Sequence, residues 1–459
     1  MGTEGQLVGI DIGTSTIKVG VVALDGRELV HSRCPTPWTC VATGAEIDPD
    51  ALFAAVLATV AAALAQLPPA PVLGIGVTSM AETLIYLDGA DRPLRPAVAW
   101  HDARGAEQAS QLGDEIGEAA FTAATGLPVS RLCSLVKLRW LRDQWAGADR
   151  LARVLSVAEW VVHRLGGDPV AELSLASRTG MLDIRARAWW PAALDWAGQP
   201  PSILPPLVQA GSVVGRAAGL PPELAALNGA ALTIAGHDHL CAAVGGGVLD
   251  EGALFDSCGS AEALIRASRA ELSADQVARA VAGHVTVGWH VLPGHRALVG
   301  AQRAGLALQR FLALLGTTAE QRPALEDAAL AAATRPSALR VTNPDQELST
   351  LSGIGWASSP GEVWWAAVSA VAQRTAELLG TITEVSGPVR EVLAAGGWTH
   401  SPALRAAKAA HLPQIQYPQV VEPGVRGAAL LAGCAAAVFS DPSSVPRPPR
   451  APQPDAAGS

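Results

Sequence analysis

The chain has 459 residues, 33 Lys and Arg against 42 Asp and Glu, a net charge of −9 and 49% hydrophobic residues. Such a length calls for two domains of about 200 residues each. The acidic balance, without a basic patch, excludes a nucleic-acid backbone as partner, and six cysteines without a CxxC pair fit free thiols in a reducing cytoplasm, the expected location.

Met1-Gly2-Thr3-Glu4-Gly5 lacks a charged region followed by an apolar one, so no signal peptide is expected. An apolar run over 7–12, broken by Asp11, turns at Gly13-Thr14-Ser15 and returns over 17–22, with Asp25-Gly26 as the next turn. The pattern predicts a β-hairpin with an acid at the end of its first strand and hydroxyls at its tip. Gly13 admits close approach of a ligand. The local N–H groups with Thr14, Ser15 and Thr16 suit phosphate oxygens, and Asp11 suits a magnesium ion. An ordinary hairpin with a polar turn has the same pattern. Residues 51–67 are Ala-rich and follow Asp48-Pro49-Asp50, which supplies an N-cap, a proline at N1 and acid at the positive helix end. The stretch is too short and too weakly apolar to span a bilayer and reads as a buried helix, so no membrane partner is expected.

Residues 72–78 and 84–87 read as strands with Glu82 between them. A carboxylate there is costly unless paired; a ligand hydroxyl is one partner, a salt bridge or an exposed loop the other solution. A strand over 96–100 ends in Trp100-His101-Asp102-Ala103-Arg104, either a sugar-binding corner or a helix N-cap at Asp102 with Arg104 on the surface. Helices are expected at 105–112, 114–124, 132–144, 156–165 and 173–181, a strand at 213–216 and a short helix at 219–226. An apolar strand at 231–235 ends in Gly236-His237-Asp238-His239. Asp238, between two close-packed apolar segments, is placed to accept a proton from a substrate alcohol. His237 and His239 would point the same way on a strand, but no third ligand at a typical zinc spacing accompanies them.

Residues 254–264 repeat the opening pattern around Gly259-Ser260, and two such hairpins point to a duplicated fold with a phosphate loop from each half. Gly305, in the apolar helix of 300–315, permits close approach of a nucleotide or of another helix. Ser359-Pro360-Gly361-Glu362 is a capping box that starts a long helix reaching about Glu384. A strand over 389–395 runs into Gly396-Gly397, and Ser401-Pro402 starts the next helix, a seat for a nucleotide. Beyond Asp441 the Pro-, Ser- and Ala-rich composition predicts disorder.

The order of these motifs, from about Val8 to Val438, resembles the FGGY family of carbohydrate kinases, xylulose kinase-like with glycerol kinase-like features in the sugar segment. The resemblance implies an α/β, two-lobed actin/hexokinase-type (ribonuclease H-like) ATPase fold with duplicated lobes around a nucleotide cleft. An N-terminal kinase domain would span 1–248, a C-terminal one 249–440 and a disordered tail 441–459. It implies ATP and Mg2+ as cofactors, with Asp11 and Asp238 at the metal and Thr14, Ser15, Thr16, Lys18, Ser260 (where a Thr is usual), Gly305, Gly397 and Ser401 at ATP. Asp238 would be the catalytic base. Met80, Ala81, Glu82, Trp100, Asp102, Asp238 and His239 would bind the substrate.

The 78–83 stretch departs from the family pattern. Xylulose kinases usually carry Gly-Gln-Met-His there, whereas Ala81 replaces the His; the Glu-Thr ending is similar to glycerol kinases, whose Arg-Glu pair binds polyol hydroxyls, but the Arg is missing. The expected reaction is transfer of the γ-phosphoryl group of ATP to a primary hydroxyl of a short ketose such as xylulose. A polyol kinase of the glycerol or erythritol type is the alternative, and a non-catalytic sugar or nucleotide sensor the alternative from another class. The partner would be a small-molecule sugar or polyol; oligomeric state, a homodimer among the options, stays open.

Overall fold

The opening hairpin forms as its pattern dictates. Strands β1 (Gln6–Ile12) and β2 (Thr16–Ala23) pair antiparallel and set Asp11 opposite Lys18. The computed structural model to which they belong describes residues 5–450. Strands β3 (Glu28–Pro35), β4 (Val72–Ser79) and β5 (Ala231–His237) complete a sheet of order β5-β4-β1-β2-β3, with β4 and β5 parallel to β1. β1, β4 and β5 are apolar along nearly their whole length because both faces are covered.

The second sheet repeats this plan. Strands β6 (Ala253–Cys258), β7 (Glu262–Ser268), β8 (Val285–Trp289), β9 (Arg296–Gln302), β10 (Glu391–Ala395) and β11 (Ile415–Gln416) lie in the order β11-β10-β6-β7-β9-β8. A hairpin again leads the antiparallel half, and β10 and β11 again run parallel to its first strand. The chain therefore has the expected two-lobed α/β architecture with duplicated sheets.

Helix caps set where the covering helices begin. Helix α1 (Pro49–Leu64) starts with Asp48 accepting from the Asp50 N–H, and it packs on β2 and β3. Helix α2 (Asp238–Gly245) follows β5 without a loop. Helix α3 (Ala304–Leu314) follows β9, and helix α4 (Pro360–Ser386) opens with the expected Ser359/Glu362 capping box. Helix α5 (Pro402–Ala409) is capped by Ser401. Helix α6 (Pro423–Ala435) then returns to the first sheet. It lies on that sheet at backbone contact: a Cβ on Gly9 would sit 2.0 Å from the Val425 carbonyl oxygen, and one on Gly76 2.0 Å from that of Ala428. Together α2 and α6 fill the space between the lobes, in a core shared by Cys241, Val244, Phe255, Ile265 and Leu431. No helix among the described residues is long and apolar enough to cross a membrane.

Some local expectations need correction. The helix read over 173–181 is one turn, Leu173–Ala176, because Glu172 caps it and the chain then bends to reach Met181. Residues 213–216 make only isolated bridges to Gly167 and Ala231, and the helix near 219–226 is the 3-10 turn Pro222–Leu227. The tail is placed as far as residue 450. Val445 is buried, Arg447 pairs with Asp250 at 3.1 Å, and Arg450 pairs with Glu391 at 2.9 Å. Residues 451–459, where disorder was also expected, lie outside the described residues.

Candidate active site

A cleft of about 720 Å³ opens between the two sheets, and both hairpins end in it. Asp11, Ser15, Thr16 and Lys18 come from the first hairpin, and Ser257 and Gly259 from the second. Asp238 and His239 enter at the N-terminus of α2. The turn after β10 adds Gly396, Gly397 and Thr399, and the approach to α6 adds Glu422 and Gly424.

Asp238 is aimed by an abrupt change of direction. Gly236 adopts φ +88, and a Cβ there would meet Ser174 Oγ at 2.5 Å. Ser174 Oγ in turn accepts the His237 N–H at 2.9 Å, so strand β5 ends and α2 begins at Asp238 itself. Its Oδ1 accepts the His239 N–H at 2.7 Å and stands 3.2 Å from His237 Nε2. Burial pushes its carboxyl up to about 7, with the negative charge of Glu82 adding and Lys18 and Arg178 opposing.

Asp11 faces the same cavity. Burial, then the charge of Asp238, raises its carboxyl to about 7, against the pull of Lys18. Its Oδ1 is buried and has no hydrogen-bond partner, and a Cβ on Gly424 would fall 2.6 Å from its Oδ2. A carboxylate with an unmet oxygen and clear space beside it suits a hard cation. Lys18 Nζ pairs with Glu422 at 2.7 Å. Burial works against its charge, but Asp11 and Glu422 outweigh burial and hold it raised.

Residues 6–245 match the model for the FGGY family of carbohydrate kinases, N-terminal domain, and residues 257–436 match that for its C-terminal domain. The chain belongs to the FGGY family. These are phosphotransferases with an alcohol group as acceptor. A gluconokinase of Bacillus subtilis (strain 168) is 29% identical over 204 residues, 44% of this chain but only 40% of that protein. A glycerol kinase of Geobacter sp. (strain M21) is 29% identical over 468 residues, 94% of this chain and 90% of that one. The crystal structure of xylulose kinase from Rhodospirillum rubrum shares the fold, with a TM-score of 0.87 at 23% identity over 98% of this chain and 95% of that chain. The relatives thus name three different substrates.

Within the FGGY fold, several expected ligand residues are committed elsewhere. Thr14 turns its hydroxyl to the indole N–H of Trp100 at 2.9 Å, and its carbonyl to that of Trp38 at 2.6 Å. Gly305 lies beneath the second hairpin, where a Cβ would be 2.2 Å from the Gly259 carbonyl oxygen; it seats α3 against the loop and does not line the cleft. Ser260 is exposed at that hairpin's tip. Ser401 is 1% exposed and gives its hydroxyl to Glu326 at 2.8 Å while capping α5. Gly397 lines the cleft.

On the acceptor side, Asp102 is fully buried and its oxygens are used by Arg104 (2.8 Å) and the Ala45 N–H (3.0 Å). Burial opposes its charge, yet the Arg104 guanidinium holds its carboxyl down at about 2. Its hydrogen bonds hold the corner together. Met80 and Ala81 are packed in the N-terminal core. Glu82 alone of that segment stays half-buried, at φ +63, an uncommon conformation for a residue with a side chain. Trp100 stacks edge-on against His101 with ring centroids 5.2 Å apart.

The two histidines beside Asp238 form no metal pair. The chain turns from strand to helix between them, so their rings meet edge to face at 5.4 Å, and burial holds both below the usual imidazole range. Among the described residues, Asp256, Cys258 and Glu262 are the one group of three with ligand atoms in mutual reach. The ammonium of Lys408 already fills that group, bonded to Asp256, 3.1 Å from Glu262 and 3.2 Å from Cys258.

Other residues enter the site without a local sequence signal. Arg178 pairs with Glu82 at 2.9 Å from 96 residues away. Lys137, 1% exposed, donates to the carbonyls of Trp100 (2.7 Å) and Arg131 (2.9 Å); burial lowers its ammonium to about 8. Arg405 lies over the Tyr417 ring at 3.9 Å, and both line the cleft. Lys137, between the buried Leu135, Val136 and Leu138, was the one of these with a readable hint.

Proposed function

We propose that the chain transfers the γ-phosphoryl group of ATP to a primary hydroxyl of a short ketose or polyol. The observation that carries this reading is the placement of Asp11 and Asp238 together at the floor of a cleft entered by two hydroxyl-tipped hairpins. Asp238 accepts the proton of the acceptor hydroxyl as its oxygen attacks phosphorus. A carboxyl held at about 7 is well matched to that task near neutral pH. Asp11 would hold magnesium, whose positive charge offsets the phosphate oxygens. Ser15, Thr16, Lys18 and the backbone around Gly259 orient the phosphates, and Gly397 with the Arg405–Tyr417 pair flanks the nucleoside. In phosphoryl transfer the protein acts mostly by positioning and charge, which this set supplies. Closure of the lobes would exclude water as a competing acceptor.

One observation favours a polyol over a ketose. Arg178 supplies at Glu82 the arginine that position 81 lacks. The test is ADP release with ATP and Mg2+ across xylulose, ribulose, erythrulose, fructose, gluconate, glycerol, erythritol and longer polyols. Strong stimulation by one neutral compound fixes reaction and substrate together. No stimulation by any compound, with ATP still bound, would move the chain to the role of a sugar or nucleotide sensor.

A further inference from the structure

The chain crosses between the lobes twice. Residues 246–252 lead from α2 into β6, and residues 417–422 lead from β11 back to α6. The second crossing is itself a wall of the cleft, through Tyr417, Pro418, Gln419 and Glu422. Its far end is fixed to the first lobe. Glu28 accepts the N–H groups of Val421 (2.8 Å) and Glu422 (3.0 Å), and Glu422 holds Lys18.

Residues 445–450, beyond the part of the chain that matches the family models, touch both crossings. Val445 belongs to the apolar cluster that also holds Val248 and Leu249 of the first crossing and Val420 of the second. At the first crossing Arg447 pairs with Asp250 at 3.1 Å, and a Cβ on Gly247 would fall 2.9 Å from Pro448 Cδ. At the second, the Pro449 carbonyl accepts the Gln419 N–H at 2.8 Å, and the backbone of Arg450 bridges to Pro418. The Arg450 guanidinium donates to Gln416 at 2.6 Å and to Glu391 at 2.9 Å. The buried Arg426 of α6 fastens the start of the segment. It donates to the carbonyls of Pro446 (2.8 Å), of Gly26 in the β2–β3 turn (2.9 Å) and of Gly245 at the end of α2 (2.6 Å).

The segment reads Val-Pro-Arg-Pro-Pro-Arg. Three prolines fix φ and keep the chain extended, so it spans about 15 Å and loses less entropy on ordering than a flexible tail would. It is a stiff brace rather than a tether. None of its six residues lines the cleft, so it acts there through residues 417–419.

We propose that residues 445–450 brace the two lobe crossings against each other, and that Arg450 with the Pro449 carbonyl positions the 417–419 wall for nucleotide binding. The choice of Mg-ATP as the ligand rests on the kinase reading above; the brace itself does not.

The experiment uses the full chain and its variants Arg450→Ala, Arg450→Lys and Arg447→Ala, with a deletion of 444–459 alongside. Calorimetry gives the Kd for Mg-ATP, and amide hydrogen exchange reports on residues 416–423. Arg450→Ala should raise the Mg-ATP Kd about 3–10-fold, because binding must then order the wall, while acceptor KM stays within about twofold. The Gln419 amide should exchange at least about tenfold faster, with the sheets protected as in wild type. Arg450→Lys should recover part of both effects. Arg447→Ala, an exposed pair, should raise Kd by about twofold. The deletion should exceed every point variant; it also uncovers the Val445 site, so Arg450→Ala, an exposed residue, decides the matter. Kd and Gln419 exchange both unchanged in Arg450→Ala would overturn the proposal. So would exchange that quickens evenly over the whole chain, the mark of a general loss of stability. Both results leave the kinase reading standing. If wild type does not bind Mg-ATP, the kinase reading fails, and exchange at Gln419 still decides whether the brace exists.

Discussion

Trp100 donates its indole N–H to the Thr14 hydroxyl at 2.9 Å, so the aromatic at the end of the 96–100 segment is fastened to the tip of the β1–β2 hairpin. Trp38 holds the same turn through the Thr14 carbonyl at 2.6 Å. On the proposed function, acceptor binding and phosphate placement would share a mechanical link at this threonine. Trp100→Phe keeps an aromatic ring and removes the hydrogen bond, about 1 kcal/mol or a little more. We expect kcat to fall about 5–10-fold, with KM for both substrates rising, in steady-state kinetics. An unchanged kcat would show that the hairpin tip holds its place without Trp100.

Beneath the second hairpin, Lys408 is the counterpart of that link. Its ammonium pairs with Asp256 and Glu262, which flank the Gly259 turn at the ends of β6 and β7. All three side chains are essentially buried, and the neighbouring carboxylates hold Lys408 charged against the cost of burial. Lys408→Met leaves two carboxylates without their cation, so stability should fall by about 3–5 kcal/mol in denaturant unfolding. A loss under about 1 kcal/mol, the range of exposed pairs, would show that the cluster is not a dry ion pair.

Asp11 sets a pH dependence of stability in the metal-free protein. Its carboxyl is raised from 3.8 to about 7 in the fold, chiefly by burial. Its contribution to stability is present below the unfolded value and is lost as pH rises through the folded one. Asp11→Asn removes that loss. The variant should therefore gain in Tm relative to wild type as pH goes from 5 to 8 in a chelator, and Mg2+ at pH 8 should narrow the gap by stabilising wild type alone. A difference in Tm that is flat across this range would contradict the burial of an unpaired carboxylate at position 11.

What could be read from the sequence was local. The two hairpins and the Ser359/Glu362 box are patterns of a few residues and formed as read, with α4 ending at Ser386, whereas Asp238, read at the end of a strand, opens helix α2. Partners set by the tertiary fold could not be read. The Ser401 hydroxyl is consumed by Glu326, 75 residues earlier, and Asp102 is tied to Ala45 from 57 residues away. The residues after Asp441 have the composition of a loose tail, but Pro446 accepts a hydrogen bond at 2.8 Å from the buried Arg426 of α6, and the segment follows that anchor. Glu82 is paired with Arg178, 96 residues later, at 2.9 Å, a partner that no local pattern could show.

The most direct test of the account is Asp238→Ala, measured as phosphoryl transfer to the best acceptor at saturating ATP, with ATP affinity measured alongside. Turnover should fall by about 10²–10⁴, the range for removing a general base, with ATP affinity close to wild type. Turnover within a fewfold of wild type would contradict Asp238 as the base.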